Sequence, residues 1–197
     1  QESLRQLKAI ADKRVSFRQE NCLVHAERKE FSFELDEQGK IASFTQKSFN
    51  SAHRIVEEAM VTANCCIAEL ISESKQAGIF VSHKGVRADR VDALNQVLLT
   101  AVPNYKDQDI ASLEGFVTTS KLISNTEELA DFAHLITRQL EKSTLSLEAK
   151  PHFGMGLPQY CNFTSPLRKA TDFLIHRQLD AGHHYRAPNQ IPGRKHR

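Results

Sequence analysis

The sequence predicts an α+β fold, rich in helix and carrying a small mixed or antiparallel sheet. Three observations support this. Apolar residues recur at helical spacing over most of the chain. One short stretch alternates between apolar and polar residues up to a turn signal, and apolar residues continue after it. The composition is that of an ordinary globular chain, with 40% hydrophobic and 25% charged residues among 197.

The elements follow in order. Ser3 to Cys22 reads as a helix, with Leu4, Leu7, Ile10, Ala11 and Val15 at helical spacing. Glu30 to Thr45 reads as a hairpin: Phe31, Phe33 and Leu35 alternate with Ser32 and Glu34, residues 36–39 turn, and Ile41 and Phe44 continue. Asn50 to Ser74 is the clearest helix. Its apolar stripe comprises Ile55, Val56, Ala59, Met60, Ala63, Ile67, Leu70 and Ile71, and Asn50 or Ser51 supplies the cap. Gly78 to Ser82 is a short buried strand, and Lys84-Gly85 turns the chain. Arg87 to Ala101 and Glu127 to Lys142 are helices, the first stopped by Pro103. Thr144 to Lys150 is a weak strand, and His152 to Tyr160, with two glycines and a proline, is an ordered loop. Ser165 to Leu179 is the last helix. Residues 181–197 form a basic, flexible tail, separate from the domain at 1–180.

Several function classes are disfavoured by composition and motif. Lys plus Arg number 26 and Asp plus Glu 24, so the net charge of +2 does not describe a basic nucleic-acid coat, although it permits a local anion site. No apolar run is long enough for a membrane helix. The four cysteines lack C-x-x-C spacing, and reduced thiols in a cytoplasmic protein are the expectation. Walker, G-x-S-x-G and H-E-x-x-H motifs are missing. Asp107 and Asp109 read as a surface turn.

Two constellations carry chemistry. In Cys161 to Asp172, Ser165-Pro166 reads as a helix start, which places Arg168 and Lys169 in the first turn. Cations there oppose the helix dipole, unless an anion such as phosphate binds the exposed backbone N–H groups. Asp172, four residues after Arg168, is placed to hold its guanidinium. The alternative is an exposed Arg168–Asp172 pair with no ligand. In His53 to Asn64, Glu57 and Asn64 lie seven apart on one face, able to bind a sugar or order a loop. The alternative is a solvated face with Arg54 paired to Glu58.

Three segments taken together resemble the catalytic (RNB) domain of the exoribonuclease II and exoribonuclease R family. They are Arg54-Ile-Val-Glu-Glu-Ala-Met60 with Asn64, His152-Phe-Gly-Met-Gly-Leu-Pro-Gln-Tyr160, and Phe163-Thr-Ser-Pro-Leu-Arg-Lys169 with Asp172, His176 and Arg177. The resemblance is nearest to bacterial exoribonuclease II and covers about Leu4 to Leu179, as the C-terminal portion of that domain. It implies processive 3′-to-5′ hydrolysis of single-stranded RNA to nucleoside 5′-monophosphates with Mg²⁺. It also implies roles. Arg168 is catalytic and grips the phosphate at the cleavage site. Glu57 contacts the terminal ribose. Tyr160 and the His152–Leu157 loop shape the channel floor. Asn64, Ser165 and Lys169 join the substrate site, and His25 falls where relatives stack an aromatic on the last bases.

Departures from the family are also legible. The metal-binding aspartates, expected N-terminal to these segments, are not in this chain, so the fragment alone is expected to be inactive. Ala170 and Thr171 replace the residues usual after Arg-Lys, and the tail differs. The competing expectation is a non-catalytic RNA-binding module or a degraded, truncated paralogue. No membrane association is expected, and a monomer is.

Overall fold

A computed structural model describes residues 2–24, 30–47, 49–74, 77–102, 105, 110–126 and 129–184. The first helix, α1 (Glu2–Asn21), lies against the longest, α2 (Ser51–Glu73). The apolar stripe expected on α1 faces largely outward. Leu4, Leu7, Ile10 and Phe17 are exposed, and only Ala11 and Arg18 are buried. Asn50 caps α2: its side-chain carbonyl accepts from the backbone N–H of Ala52 at 3.0 Å and His53 at 3.2 Å, and the His53 ring accepts from the Asn50 N–H. The buried line of α2 is Glu58, Val61, Asn64, Ala68 and Ile71. That line is rotated from the stripe expected from hydrophobicity, because two polar residues occupy it while Val56 and Leu70 stay exposed.

Between these helices, β1 (Glu30–Leu35) and β2 (Ile41–Lys47) form the expected antiparallel hairpin, with Phe33 opposite Phe44 and an irregularity at Glu34/Leu35. Asp36 closes the turn, its carboxylate accepting from the Gln38 and Lys40 N–H groups, and Gly39 supplies the positive φ of 75°. Phe31, Phe33, Leu35, Ile41 and Phe44 are all exposed.

The second sheet pairs β3 (Phe80–Ser82) with β4 (Thr144–Ser146), also antiparallel. The small sheet expected from the sequence is therefore two separate two-stranded sheets among the described residues. Between β3 and β4 lie α3 (Val91–Ala101), α4 (Leu113–Ser124) and α5 (Ala130–Gln139). A single 3-10 turn, Ala88–Arg90, precedes α3 where the helix was expected from Arg87. Helix α4 was not expected at all. Its Thr118-Thr119-Ser120 run is poor helix-forming sequence, and tertiary burial of Phe116, Val117 and Ile123 overrides it.

Two cores result. One joins α3, α4 and α5 through Leu94, Leu98, Phe116, Ile123 and Ile136, with Val86 and Phe153. Phe153 comes from a 3-10 turn, Phe153–Met155, within the expected 152–160 loop. Gly85 turns the chain against its ring with φ 82°. The other core gathers Ala68 and Ile71 of α2, Phe80, Cys161, and Ile175 of the last helix, α6 (Ala170–His184). Helix α6 starts five residues later than expected and runs past Leu179. Ser165 to Arg168 instead form a hydrogen-bonded turn with Pro166 at its second position, closed by the Arg168 N–H on the Ser165 carbonyl at 3.2 Å.

Candidate functional site

Asn64 organises the site. Its side-chain amide donates to the Tyr160 hydroxyl at 2.6 Å, and its carbonyl oxygen accepts from the Phe163 N–H at 3.0 Å. Its backbone carbonyl accepts from the Cys161 thiol at 3.3 Å. One residue of α2 thus fixes three positions in a segment about a hundred residues later. The backbone carbonyl of Tyr160 is held in turn by the Val81 N–H of β3 at 2.8 Å.

Above this clasp lies a cleft of about 520 Å³, lined by Phe49, His53, Glu57, Asn64 and Tyr160 with apolar neighbours from α2. The Arg54 guanidinium sits 4.8 Å from the centre of the Phe49 ring and pairs with Glu57 Oε2 at 3.3 Å. The expected Arg54–Glu58 pair is not what forms. Glu58 turns inward and meets Arg18 of α1, Nη1 to Oε1, at 2.5 Å, both side chains almost fully buried. Burial raises the Tyr160 hydroxyl above its ordinary value, an effect the Asn64 amide partly offsets. Tyr160 therefore stays protonated and polar at neutral pH.

Asp172 is 1% exposed and accepts from the Ser165 N–H at 2.8 Å and the Thr171 hydroxyl at 3.0 Å. It does not hold the Arg168 guanidinium, as the spacing had suggested. Because α6 begins at Ala170, Arg168 and Lys169 precede its first turn, and the carboxylate reaches back to the Ser-Pro turn. Arg168 is exposed and donates through Nη2 to the Ser165 hydroxyl at 3.5 Å. His176 completes the support, its ring stacked on Phe163 at 4.0 Å and its Nε2 bonded to the Phe163 carbonyl at 2.9 Å.

Of the residues expected at the site, Glu57, Asn64 and Tyr160 share one cleft. Ser165, Arg168 and Lys169 do not line it; they follow the clasped segment on the turn before α6. His25, Asp107, Asp109 and residues 185–197 of the tail lie outside the described residues. Among the described residues, no three His, Cys, Asp or Glu side chains are placed to hold a metal ion. The Mg²⁺ implied by the resemblance therefore has no fitting donor set there. Also among the described residues, no helix is long and apolar enough to cross a membrane.

Sequence reasoning missed the Arg18–Glu58 pair; for Asn64 it offered the ordering of a loop, without naming Tyr160 and Phe163 as its partners. No local signal marked the pair: the line read as apolar from the sequence is rotated from the buried line on which Glu58 falls, and a carboxylate is tolerated there because Arg18 pairs with it.

Comparison with known proteins agrees with this arrangement. The RNB domain matches residues 1–184. Exoribonuclease 2 of Proteus mirabilis is 34% identical over 176 residues, covering 89% of this chain and 27% of that protein. Exoribonuclease 2 of Aeromonas hydrophila is 32% identical over 186 residues, 94% of this chain and 28% of that protein. The chain therefore spans less than a third of the curated relatives it matches. The solved structure of Mycoplasma genitalium RNase R in complex with double-stranded RNA superposes with a TM-score of 0.74 at 23% identity, covering 96% of this chain and 34% of that one. With the three sequence segments joined by the Asn64 clasp and the RNB domain matched over nearly the whole length, the chain belongs to the RNB-domain family.

Proposed function

We propose that this chain is part of a processive 3′-to-5′ exoribonuclease that hydrolyses single-stranded RNA to nucleoside 5′-monophosphates, and that it supplies the substrate-gripping side of the site. One observation carries the reading. Glu57, Asn64 and Tyr160, from segments about a hundred residues apart, line a single cleft beside an aromatic ring. A carboxylate at such a position accepts a ribose 2′-OH, the group that separates RNA from DNA. The exposed Arg168 offers a planar fork that complements a phosphate and offsets charge developing on it during cleavage. Asp172 orients the Ser165 turn that carries it. Base identity contributes little to such contacts, so sequence preference is weak. Mg²⁺ belongs to the reading through the resemblance alone, with ligands outside the described residues. The whole protein acts as a cytoplasmic monomer in this reading, and the present chain alone does not cleave RNA.

The test is single-turnover digestion of a 3′-extended single-stranded RNA with Mg²⁺, using a longer protein that contains this chain. Arg168→Ala is expected to lower monophosphate release about 10²–10³-fold, and Arg168→Lys to restore it only in part. A rate near that of the parent for Arg168→Ala removes the assigned role. Release of monophosphates by the 197-residue chain itself overturns its expected inactivity.

A further inference from the structure

The carboxylate assigned above to the ribose does not stand alone. Glu57 lines the cleft, and its Oε2 accepts from Arg54 Nη1 at 3.3 Å, which leaves Oε1 to accept from a ligand. Arg54 itself does not line the cleft, so its effect on a ligand there passes through Glu57.

The arginine is also held by a ring. Its guanidinium carbon lies 4.8 Å from the centre of Phe49. Phe49 precedes the Asn50 cap of α2, and Arg54 is the fourth residue of that helix. At these two positions an apolar pair commonly packs together and fixes the angle at which the chain enters a helix. Here a cation on an aromatic face takes its place. The Phe49 ring packs in turn on the His53 ring, 5.4 Å between centres, and His53 Nδ1 accepts from the Asn50 N–H. The helix cap, the ring, the arginine and the glutamate thus form one chain of contacts.

Helix stability does not account for this arginine. A cation in the first turn opposes the helix dipole, and an arginine placed before its glutamate is the weaker order for a helical pair. Partly exposed ion pairs contribute little in any case. The Arg54 side chain is nonetheless only 22% exposed, set between a ring and a carboxylate. What the arrangement supplies is a fixed direction for Glu57.

We propose that Arg54 is a positioning residue for ribose recognition: braced on Phe49, it holds Glu57 Oε2 and so presents Oε1 to the 2′-OH of the 3′-terminal nucleotide. This rests on the reading that Glu57 contacts a ribose. A carboxylate free to rotate meets the same hydroxyl at poorer angles, and hydrogen bonds weaken steeply as they bend. Phe49 acts on Arg54 and Arg54 on Glu57, so selectivity for RNA over DNA depends on the three in series.

The experiment compares single-turnover trimming of a single-stranded RNA with trimming of the same strand carrying one 2′-deoxy residue at its 3′ end, in a longer protein that contains this chain. The readout is the ratio of the two rates, which a general loss of structure does not change. Glu57→Ala is expected to lower the ratio about tenfold or more, as for loss of a hydrogen bond to a charged group. Arg54→Ala is expected to lower it about threefold to tenfold, and to add nothing where Glu57 is already replaced by alanine. Arg54→Lys should recover part of the loss, since it keeps the charge without the planar fork. Phe49→Leu should lower the ratio less than Arg54→Ala does, and add nothing to it. Should Arg54→Ala fail to fold, Arg54→Lys and Phe49→Leu answer through the same ratio, each expected below the parent. An unchanged ratio in Glu57→Ala removes the ribose reading of the site and this role with it. A lowered ratio in Glu57→Ala beside unchanged ratios in the Arg54 variants, or additive losses in the double variant, overturns the positioning role alone.

Discussion

Arg18 and Glu58 form a buried ion pair at 2.5 Å that joins α1 to α2, with one nitrogen of the guanidinium and one oxygen of the carboxylate left without partners. The helices share little other buried surface on the α1 side, since its apolar residues face outward. Removing one member strands a charge in the interior. Glu58→Ala is expected to cost about 3–5 kcal/mol, whereas the double change Arg18→Met with Glu58→Leu costs less than either single change. Urea unfolding of Glu58→Ala, the two single changes and the double change measures this.

The Asn64 side chain answers two groups, the Tyr160 hydroxyl and the Phe163 N–H. Asn64→Ala leaves both unsatisfied, at about 1–3 kcal/mol for each. Tyr160→Phe removes only the hydroxyl and is expected to cost about 1 kcal/mol. Denaturant midpoints should rank parent, Tyr160→Phe, Asn64→Ala in falling order. The reverse order of the two variants would show that the amide is not the clasp.

Alkaline pH is expected to unfold the chain earlier than acid-base chemistry of exposed groups would. Burial lifts Cys65 from 9.0 to about 11 and Cys161 from 9.0 to about 12. A thiol that keeps its proton more firmly when folded adds stability in full below its unfolded value. That contribution disappears as pH rises through the folded value. Stability should therefore fall between pH 9 and 12, with a limiting slope of about 1.4 kcal/mol per pH unit for each such thiol. Cys161→Ala should flatten the slope when unfolding is followed by circular dichroism across that range.

At Gly85 the backbone has φ 82°, and a Cβ there would stand 2.5 Å from the Phe153 ring. Gly85→Ala is expected to destabilise by about 1–3 kcal/mol, through strain and displacement of a core aromatic. A thermal melt of that variant, beside Gly39→Ala in the open hairpin turn where nothing lies within 4 Å, separates the ring contact from backbone strain.

Much of the architecture was legible in the sequence because local rules and tertiary context agree there. The Asn50 cap, the Asp36–Gly39 turn and the bounds of α2 each follow from a residue type with one suitable conformation. Helix α4 was not legible, since threonine and serine runs favour other structure until a core covers them. The Ser-Pro pair signalled a start, and it starts a turn. The deciding partner, Asp172, acts from seven residues away and from a buried position that spacing does not reveal. Glu57 and Asn64 were singled out by their shared helix face and Tyr160 by resemblance, but the inward turn of Glu58 depended on Arg18, forty positions earlier.

The clasp at Asn64 has a kinetic consequence. It joins positions 96 to 99 residues apart, and everything from α3 to the 152–160 loop lies within the chain it closes. Such a closure is entropically slow, and it becomes cheaper once the intervening segment is already compact. The α3–α4–α5 core has contacts that are short in sequence and can form first. Folding should then proceed in two stages, with α2 and α6 docking last, so that the cleft is the final part of the molecule to appear and the first to open.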